Sequence, residues 1–389
     1  MSVFGTLKTT RLRPWVFAAV APLVIGLSLQ ACSDGGNGAS AQPQLRKSQK
    51  VVAINLASAP VGQTRTGRSG VTPGVATFRP AMPGRTVLIQ GKVGNRWKTV
   101  SKAVQNGSGE VAFTVTNPSI SYRAVAPATK KATKVVTATA RSTNWGKPTW
   151  HDEFNGSGAL NPAIWSSIEV PKVGKFGCVE MLPGNAYKQK GAAVLKVSRL
   201  PGKRGAKTKA CKFGQFGNAL IHANNPQHYL KYGMAAARVK FSPVRGLHSA
   251  FWMDDAGTGE TANRVEIDVA EYFGDDRGKG GLASFVHSVA PNGKIKSVGG
   301  EYKSRHLLPK KKEWSQGWHV YSVEWTPTGY IFRVDGKVTF KTSKNVSHAP
   351  ERILLSAITS DWEQSALKLK KLPTVTKYDW VRVWQRPGA

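Results

Sequence analysis

Three features of the sequence predict an all-β chain built from two unequal sandwiches. Short stretches alternate apolar and polar side chains between turn signals, and β-branched and aromatic residues concentrate in those stretches. Asp335-Gly336, set between Phe332-Arg333-Val334 and Val338-Thr339-Phe340, marks a two-residue hairpin. The 389 residues leave room for two domains and a leader, and 40% apolar content supports globular cores.

Residues 1–31 carry Lys8, Arg11 and Arg13, followed by an apolar run from Trp15 to Leu29. That run is short for a membrane span and charged on one flank only, so it reads as a secretion signal. It ends Leu29-Gln30-Ala31-Cys32, which resembles a bacterial lipobox. The expectation is an exported chain whose Cys32 carries lipid and anchors it to the outer face of the bacterial cell membrane. The alternative is a cleaved, secreted chain with a free Cys32. Lipidation also resolves an odd cysteine count, because Cys178 and Cys211 then remain as one candidate disulfide in an oxidising compartment.

Residues 32–50, rich in Gly, Ser, Ala and Gln, read as a flexible tether. From 51 to 141 strands are expected at Val51 to Leu56, Thr86 to Val93, Trp97 to Val104, Val111 to Val115, Ile120 to Val125 and Val135 to Ala140. Pro83-Gly84, Gly94-Asn95, Asn106-Gly107 and Asn117-Pro118 supply turns between them. The spacing suggests a small β-sandwich similar to the immunoglobulin-like modules found beside secreted bacterial enzymes. It holds no catalytic constellation. It serves either as a spacer or as a glycan binder using Trp97, Tyr122 and its basic residues. Residues 142–149 form a linker.

Residues 150–389 read as nearly continuous strand: Ala193 to Arg199, Tyr232 to Phe241, Ser249 to Met253, Arg264 to Tyr272, Leu282 to Val289, Trp318 to Thr326, Tyr330 to Val334, Lys337 to Phe340, Ile353 to Thr359 and Trp380 to Trp384. Such strands form one domain of two packed sheets.

Eight of the 22 acidic residues fall between positions 254 and 276, centred on Glu266-Ile267-Asp268-Val269-Ala270-Glu271. A strand that lines up three carboxylates works against its own stability, because like charges partly out of water repel. Local breaches of this kind mark functional sites. Retaining cleavage of a glycosidic bond needs one carboxylate to attack the sugar carbon and one carboxylic acid to protonate the leaving oxygen, about 5 to 5.5 Å apart. A third carboxylate between them helps to separate their proton affinities. Alternation puts Glu266 and Asp268 on one face but Glu271 on the other, so a β-bulge near Val269 or Ala270 is required. The alternative reading is a solvated edge whose alternate carboxylates face water.

The run EIDVAEYFG from Glu266 to Gly274 resembles the catalytic strand of glycoside hydrolase family sixteen, the laminarinase-like group, in its bulged form. Supporting segments follow the family's order: Trp150 to Gly156, Leu160 to Ser166, Tyr232 to Phe241, Gly246 to Met253, Trp318 to Gly336 and Tyr378 to Gln385. The resemblance implies a concanavalin-like β-jelly roll with a curved inner sheet. It makes Glu266 the nucleophile, Glu271 the general acid and base, and Asp268 the assisting carboxylate. It makes Trp252 the floor of a sugar site, although a Trp in an apolar strand also serves as core. His287 and Arg264 are further candidate substrate contacts, and no metal or other cofactor is expected. Two departures bear on substrate choice: His248 stands where the family often has Trp, and Ala236 where it often has Glu. The paired aspartates Asp254-Asp255 and Asp275-Asp276 are expected as solvated rim rather than as a cation site.

The formal charge is +34, shared by both halves of the chain. Anionic envelope surfaces are therefore expected partners, whereas no nucleic-acid recognition motif accompanies the charge. No Gly-x-Ser-x-Gly elbow, His-Glu-x-x-His or phosphate-cradling loop occurs, which weakens serine-hydrolase, zinc-protease and nucleotidase readings. The leading expectation is a monomeric, endo-acting retaining β-glycosidase hydrolysing an extracellular polysaccharide, a β-1,3- or mixed-linkage glucan. The alternatives are a transglycosylase remodelling envelope glycan and a non-catalytic cationic glycan-binding surface protein.

Overall fold

The computed structural model describes residues 48–57, 72–117, 120–141, 145, 147–168, 177–255, 264–302, 307–308 and 312–386. The signal segment, Cys32 and most of the tether lie outside the described residues.

In the N-terminal part, alternating side chains of two small sheets meet in one core. Lys50–Leu56, Thr72–Arg79 and Glu110–Val115 form the first sheet, with Thr72–Arg79 in the middle. Arg96–Val104, Thr86–Val93, Tyr122–Ala126 and Val135–Val136 form the second in that order. Phe78, Val111 and Phe113 from one sheet pack against Val87, Ile89, Tyr122 and Ala124 from the other. The strand Thr72–Arg79 escapes sequence reading because Pro73-Gly74 looks like a turn. A Cβ on Gly74 would come within 2.6 Å of the Phe113 ring, so glycine is what lets the aromatic lie across the backbone. The strand expected from Val135 to Ala140 shortens to Val135–Val136, with Ala140 making only a bridge to Tyr122.

The C-terminal part is a two-layer sandwich. One sheet runs Ile295–Glu301, Leu282–Val289, Arg264–Tyr272, His248–Asp255, Glu351–Ile358, Phe216–Ala223. The other runs Ala192–Arg199, Thr374–Gln385, Gly233–Lys240, His319–Thr326, Gly329–Val334, Lys337–Thr342. They join at one corner through the pairs Ser198–Gly217 and Arg199–Phe216. Phe251, Met253, Ile267 and Leu355 of the first sheet pack against Ala235, Tyr321, Val323 and Val381 of the second, which is the jelly-roll-like layering the sequence implies. Phe216–Ala223 and Ile295–Glu301 have no clear alternation, the first because nearly all of it is buried and the second because it is a Gly-containing edge.

The Asp335-Gly336 hairpin forms with Val334 opposite Lys337, and both turn residues take positive φ (51° and 81°). Its tip meets the N-terminal sandwich: a Cβ on Gly336 would lie 2.5 Å from the backbone of Leu56. Beside it, Lys337 Nζ pairs with Glu110 at 2.7 Å. Ala57 joins Met234, Ala236, Val320, Trp380 and Trp384 in an apolar cluster on the outward face of the second sheet. The N-terminal sandwich thus docks on the side opposite the acidic strand.

Candidate active site

The geometry of the acidic strand turns on one extra residue. Along Arg264–Tyr272, Asp268 lies opposite Phe285 but Glu271 lies opposite Ala283, so Val269 and Ala270 together face Ser284. The neighbour on the other side shows the same slip between Phe251–Ala270 and Trp252–Asp268. This is a β-bulge. Val269 and Ala270 both enter the core, and Glu271 emerges on the face of Glu266 and Asp268. Ser284 donates to the Val269 carbonyl at 2.6 Å, satisfying an acceptor that the bulge removes from the regular ladder.

The three carboxylates sit in a web of imidazoles and one guanidinium. His287, opposite Glu266 on the next strand, places Nε2 3.1 Å from Asp268 Oδ2, and its Nδ1 is 2.6 Å from Ser297 Oγ. On the other flank Asp254 lies opposite Glu266 and is gripped by Arg352 through two contacts of 2.6 and 3.1 Å. At the far end His248 Nε2 contacts Glu271 Oε1, while Nδ1 lies 3.0 Å from Ser360 Oγ.

Burial pushes the Glu266 carboxyl well above its ordinary range. Asp268 adds to that push, His287 opposes it, and Glu271 and Asp254 add smaller repulsions. Asp268 is also driven up, first by burial and then by the charges of Glu271 and Asp254. Two neighbouring carboxyls raised in this way resist ionising together, which favours keeping a proton on the Glu266–Asp268 pair. Burial also raises the Tyr302 phenol, with Glu271 and Asp268 contributing.

Trp252 is 8% exposed and lies on the carboxylate face rather than between the sheets. It packs with Leu220, Ala250, Leu354 and Ile358 into an apolar patch beside Asp268, to which it is directly opposite. Arg264 is half-buried two residues before Glu266, and its charge partly offsets that of buried Glu351. Cys178 and Cys211 are joined in a disulfide. His319 pairs instead with the hairpin residue Asp335 at 2.7 Å.

One expectation is corrected. Asp254 and Asp255 are both 5% exposed, not solvated rim, because they lie in the strand His248–Asp255 rather than in a loop. Asp275 is also tied down, accepting from the Tyr272 and Ser315 hydroxyls, whereas Asp276 is exposed. Sequence reading did not single out Ser284, Ser297, Arg352, Ser360 or Tyr302. Only parity offered a signal, since the residue opposite a required bulge is a candidate to pin it. Glu266, Asp268 and His287 each bring one ligand atom within 4.8 Å of the others, a nitrogen-and-oxygen set that a transition-metal ion can take.

The family model for glycosyl hydrolases family 16 matches residues 187–382, which include the bulged strand and most of both sheets. The chain belongs to glycosyl hydrolases family 16. Among curated relatives, glucan endo-1,3-beta-glucosidase A1 of Niallia circulans is 27% identical over 207 residues, covering 50% of this chain and 29% of that protein. A keratan-sulfate endo-1,4-beta-galactosidase of Sphingobacterium multivorum is 23% identical over 283 residues, covering 66% and 60%. The chain therefore spans less than two thirds of the length of either relative. Among solved structures, the laminarinase catalytic domain of Thermotoga maritima MSB8 is 19% identical with a TM-score of 0.49, covering 62% of this chain and 98% of that one.

Proposed function

We propose that this family-16 protein is an endo-acting retaining β-glycosidase that hydrolyses an extracellular β-1,3- or mixed-linkage glucan by double displacement. The observation that carries the reading is the bulge at Val269, which brings Glu271 onto the face of Glu266 and Asp268. Glu266 attacks the anomeric carbon while Glu271 protonates the leaving oxygen. Water, deprotonated by Glu271, then releases the sugar from Glu266. Asp268, held by His287, keeps a proton that it shares with Glu266 in the resting state and so eases ionisation of the nucleophile on demand. The apolar patch around Trp252 offers a surface for a sugar ring.

Reducing-end release from a panel of β-glucans tests this reading. Wild type is expected to cleave, and Glu266→Gln or Glu271→Gln to lose about a thousandfold or more in turnover. Full activity in Glu266→Gln would sink the mechanism. Product lengths separate hydrolysis from transglycosylation, since transfer yields chains longer than the starting oligosaccharide. The charge of +34 and the keratan-sulfate relative support adding a sulfated polymer to the panel.

The N-terminal sandwich is read as an immunoglobulin-like spacer. Its strand order and the Tyr122 hydroxyl, which donates to the Asn117 carbonyl at 2.6 Å, support this. Its basic surface suits an anionic cell envelope, with the enzyme anchored through lipid on Cys32. Labelling with a fatty acid that disappears in Cys32→Ser is the expected result; labelling that persists in the variant overturns the anchor.

A further inference from the structure

His248 occupies a position that an indole often takes in the resembling family, and its surroundings differ from those of a packing residue. The imidazole is 9% exposed. Its ring stacks on Phe273 at 4.9 Å with an interplanar angle of 27°, and Trp362 closes over it at 5.5 Å. Those contacts fix the ring plane. Within that plane one nitrogen reaches Glu271 Oε1 and the other lies 3.0 Å from the hydroxyl of Ser360, which is 1% exposed.

The two ends of the ring constrain one another. A hydroxyl that donates to Nδ1 leaves Nε2 carrying the hydrogen, and Nε2–H donates to a carboxyl oxygen. Glu271 then has Oε1 occupied in both of its protonation states, and its reacting proton is confined to Oε2. An indole has one N–H and no acceptor, so it could not take part in the Ser360 end of this array. The other charged and titratable groups around the pair come from several segments. Asp268 and Glu266 face Glu271 from its own strand, and the Tyr302 phenol approaches from just beyond Ile295–Glu301, two strands away. Behind Phe273, Arg277 lies 4.5 Å over the ring and is tied to Glu301 and Glu363, and Arg245 holds the same Glu363.

We propose that His248, set by Ser360, is a positioning residue that occupies Oε1 of Glu271 and so directs the catalytic proton to Oε2. The proton balance of the reaction is unchanged. Oε2–H goes to the leaving oxygen in the first step, Oε2 recovers a proton from water in the second, and the imidazole neither gains nor loses one. This inference rests on the reading of Glu271 as acid and base.

The experiment compares His248→Phe, which keeps the stack on Phe273, with His248→Gln, which keeps an N–H donor. Melting curves check that both variants fold. With a glucan substrate, His248→Phe is expected to lower kcat/KM about 30-fold, mainly through kcat, and to move the alkaline limb of its pH profile to higher pH, because an ionised Glu271 loses an N–H donor. His248→Gln is expected to recover about a third or more of that loss. With an aryl glycoside whose phenol leaves without protonation, the His248→Phe deficit in kcat/KM should shrink to about threefold or less. An equal deficit on both substrates with an unmoved pH profile overturns the inference. Imidazole nitrogen NMR reads the pairing without any substrate. An Nε2–H tautomer for His248 that changes in Glu271→Ala, while His319 stays put, is the expected result. An unmoved His248 resonance overturns the inference even if the enzyme is active, whereas a wild type that cleaves no glycan, with the His248 signal responding, sinks the hydrolase reading on which the proton's destination depends.

Discussion

The two sandwiches treat acidic residues in opposite ways. Between residues 51 and 141 the only carboxylate is Glu110, and it is buried at the contact with Lys337 of the other sandwich. The C-terminal sandwich instead gathers Asp254, Glu266, Asp268 and Glu271 on one face of one sheet, where burial and mutual repulsion push Glu266 and Asp268 upward. The lone Glu110 is neutralised where it helps two bodies adhere. The clustered acids are only partly compensated, by Arg352, His287 and His248, and Glu266 and Asp268 stay harder to ionise than free carboxyls. Charge placement therefore separates a contact that joins two bodies from a face whose carboxyls are held where they ionise reluctantly.

The sharpest way to break that comparison is to remove Val269 and Ala270 together. Glu271 then follows Asp268 directly, and alternation sends it into the core or forces a new slip. Deletion is expected to abolish glucan cleavage and to lower unfolding free energy by about 3–5 kcal/mol, as for other unpaired buried charges. Denaturant titration beside an activity assay checks both. Next in size is Ser284→Ala, which frees the Val269 carbonyl: about 1–2 kcal/mol of stability and roughly tenfold in kcat. Full activity in this variant would show that the bulge holds itself.

A third variant, Asp268→Asn, should sharpen the contrast by gaining stability while losing function. A carboxyl whose folded value is raised is no burden below its ordinary value of 3.8, and it costs stability as pH climbs from there through the raised value. The variant is expected to melt about 2–4 °C higher than wild type at pH 7, the scale of active-site relief. That advantage should fade below pH 3.8. A constant advantage at every pH would contradict the electrostatic origin. The smallest effect belongs to Lys337→Ala: roughly 1 kcal/mol lost at the contact between the sandwiches, with turnover changed less than about twofold.

Much of the fold was legible because alternation, turn residues and β-branched composition agree locally in strands such as Thr86–Val93 and Leu282–Val289. Legibility failed where one signal outweighed the others. Pro73-Gly74 hid a central strand, and the all-buried Phe216–Ala223 lacked the period that exposes a half-solvated one. In the site, parity alone demanded a bulge between Asp268 and Glu271. The partners that complete the array, Ser284, Arg352 and Ser360, come from strands and turns far away in sequence. Nothing in their local pattern distinguishes them. His248 was visible only as an unusual residue, since its link to Glu271 spans two strands.

The cystine at Cys178–Cys211 clamps the chain just before two neighbouring strands, Val179–Met181 and Phe216–Ala223, which run side by side in the same direction. Val179, Met181 and Leu220 from these strands border Trp252, so the bond braces the apolar patch beside the acids rather than the acids themselves. A reducing agent would accordingly loosen the packing around Trp252 before it disturbed the carboxylates farther along the sheet.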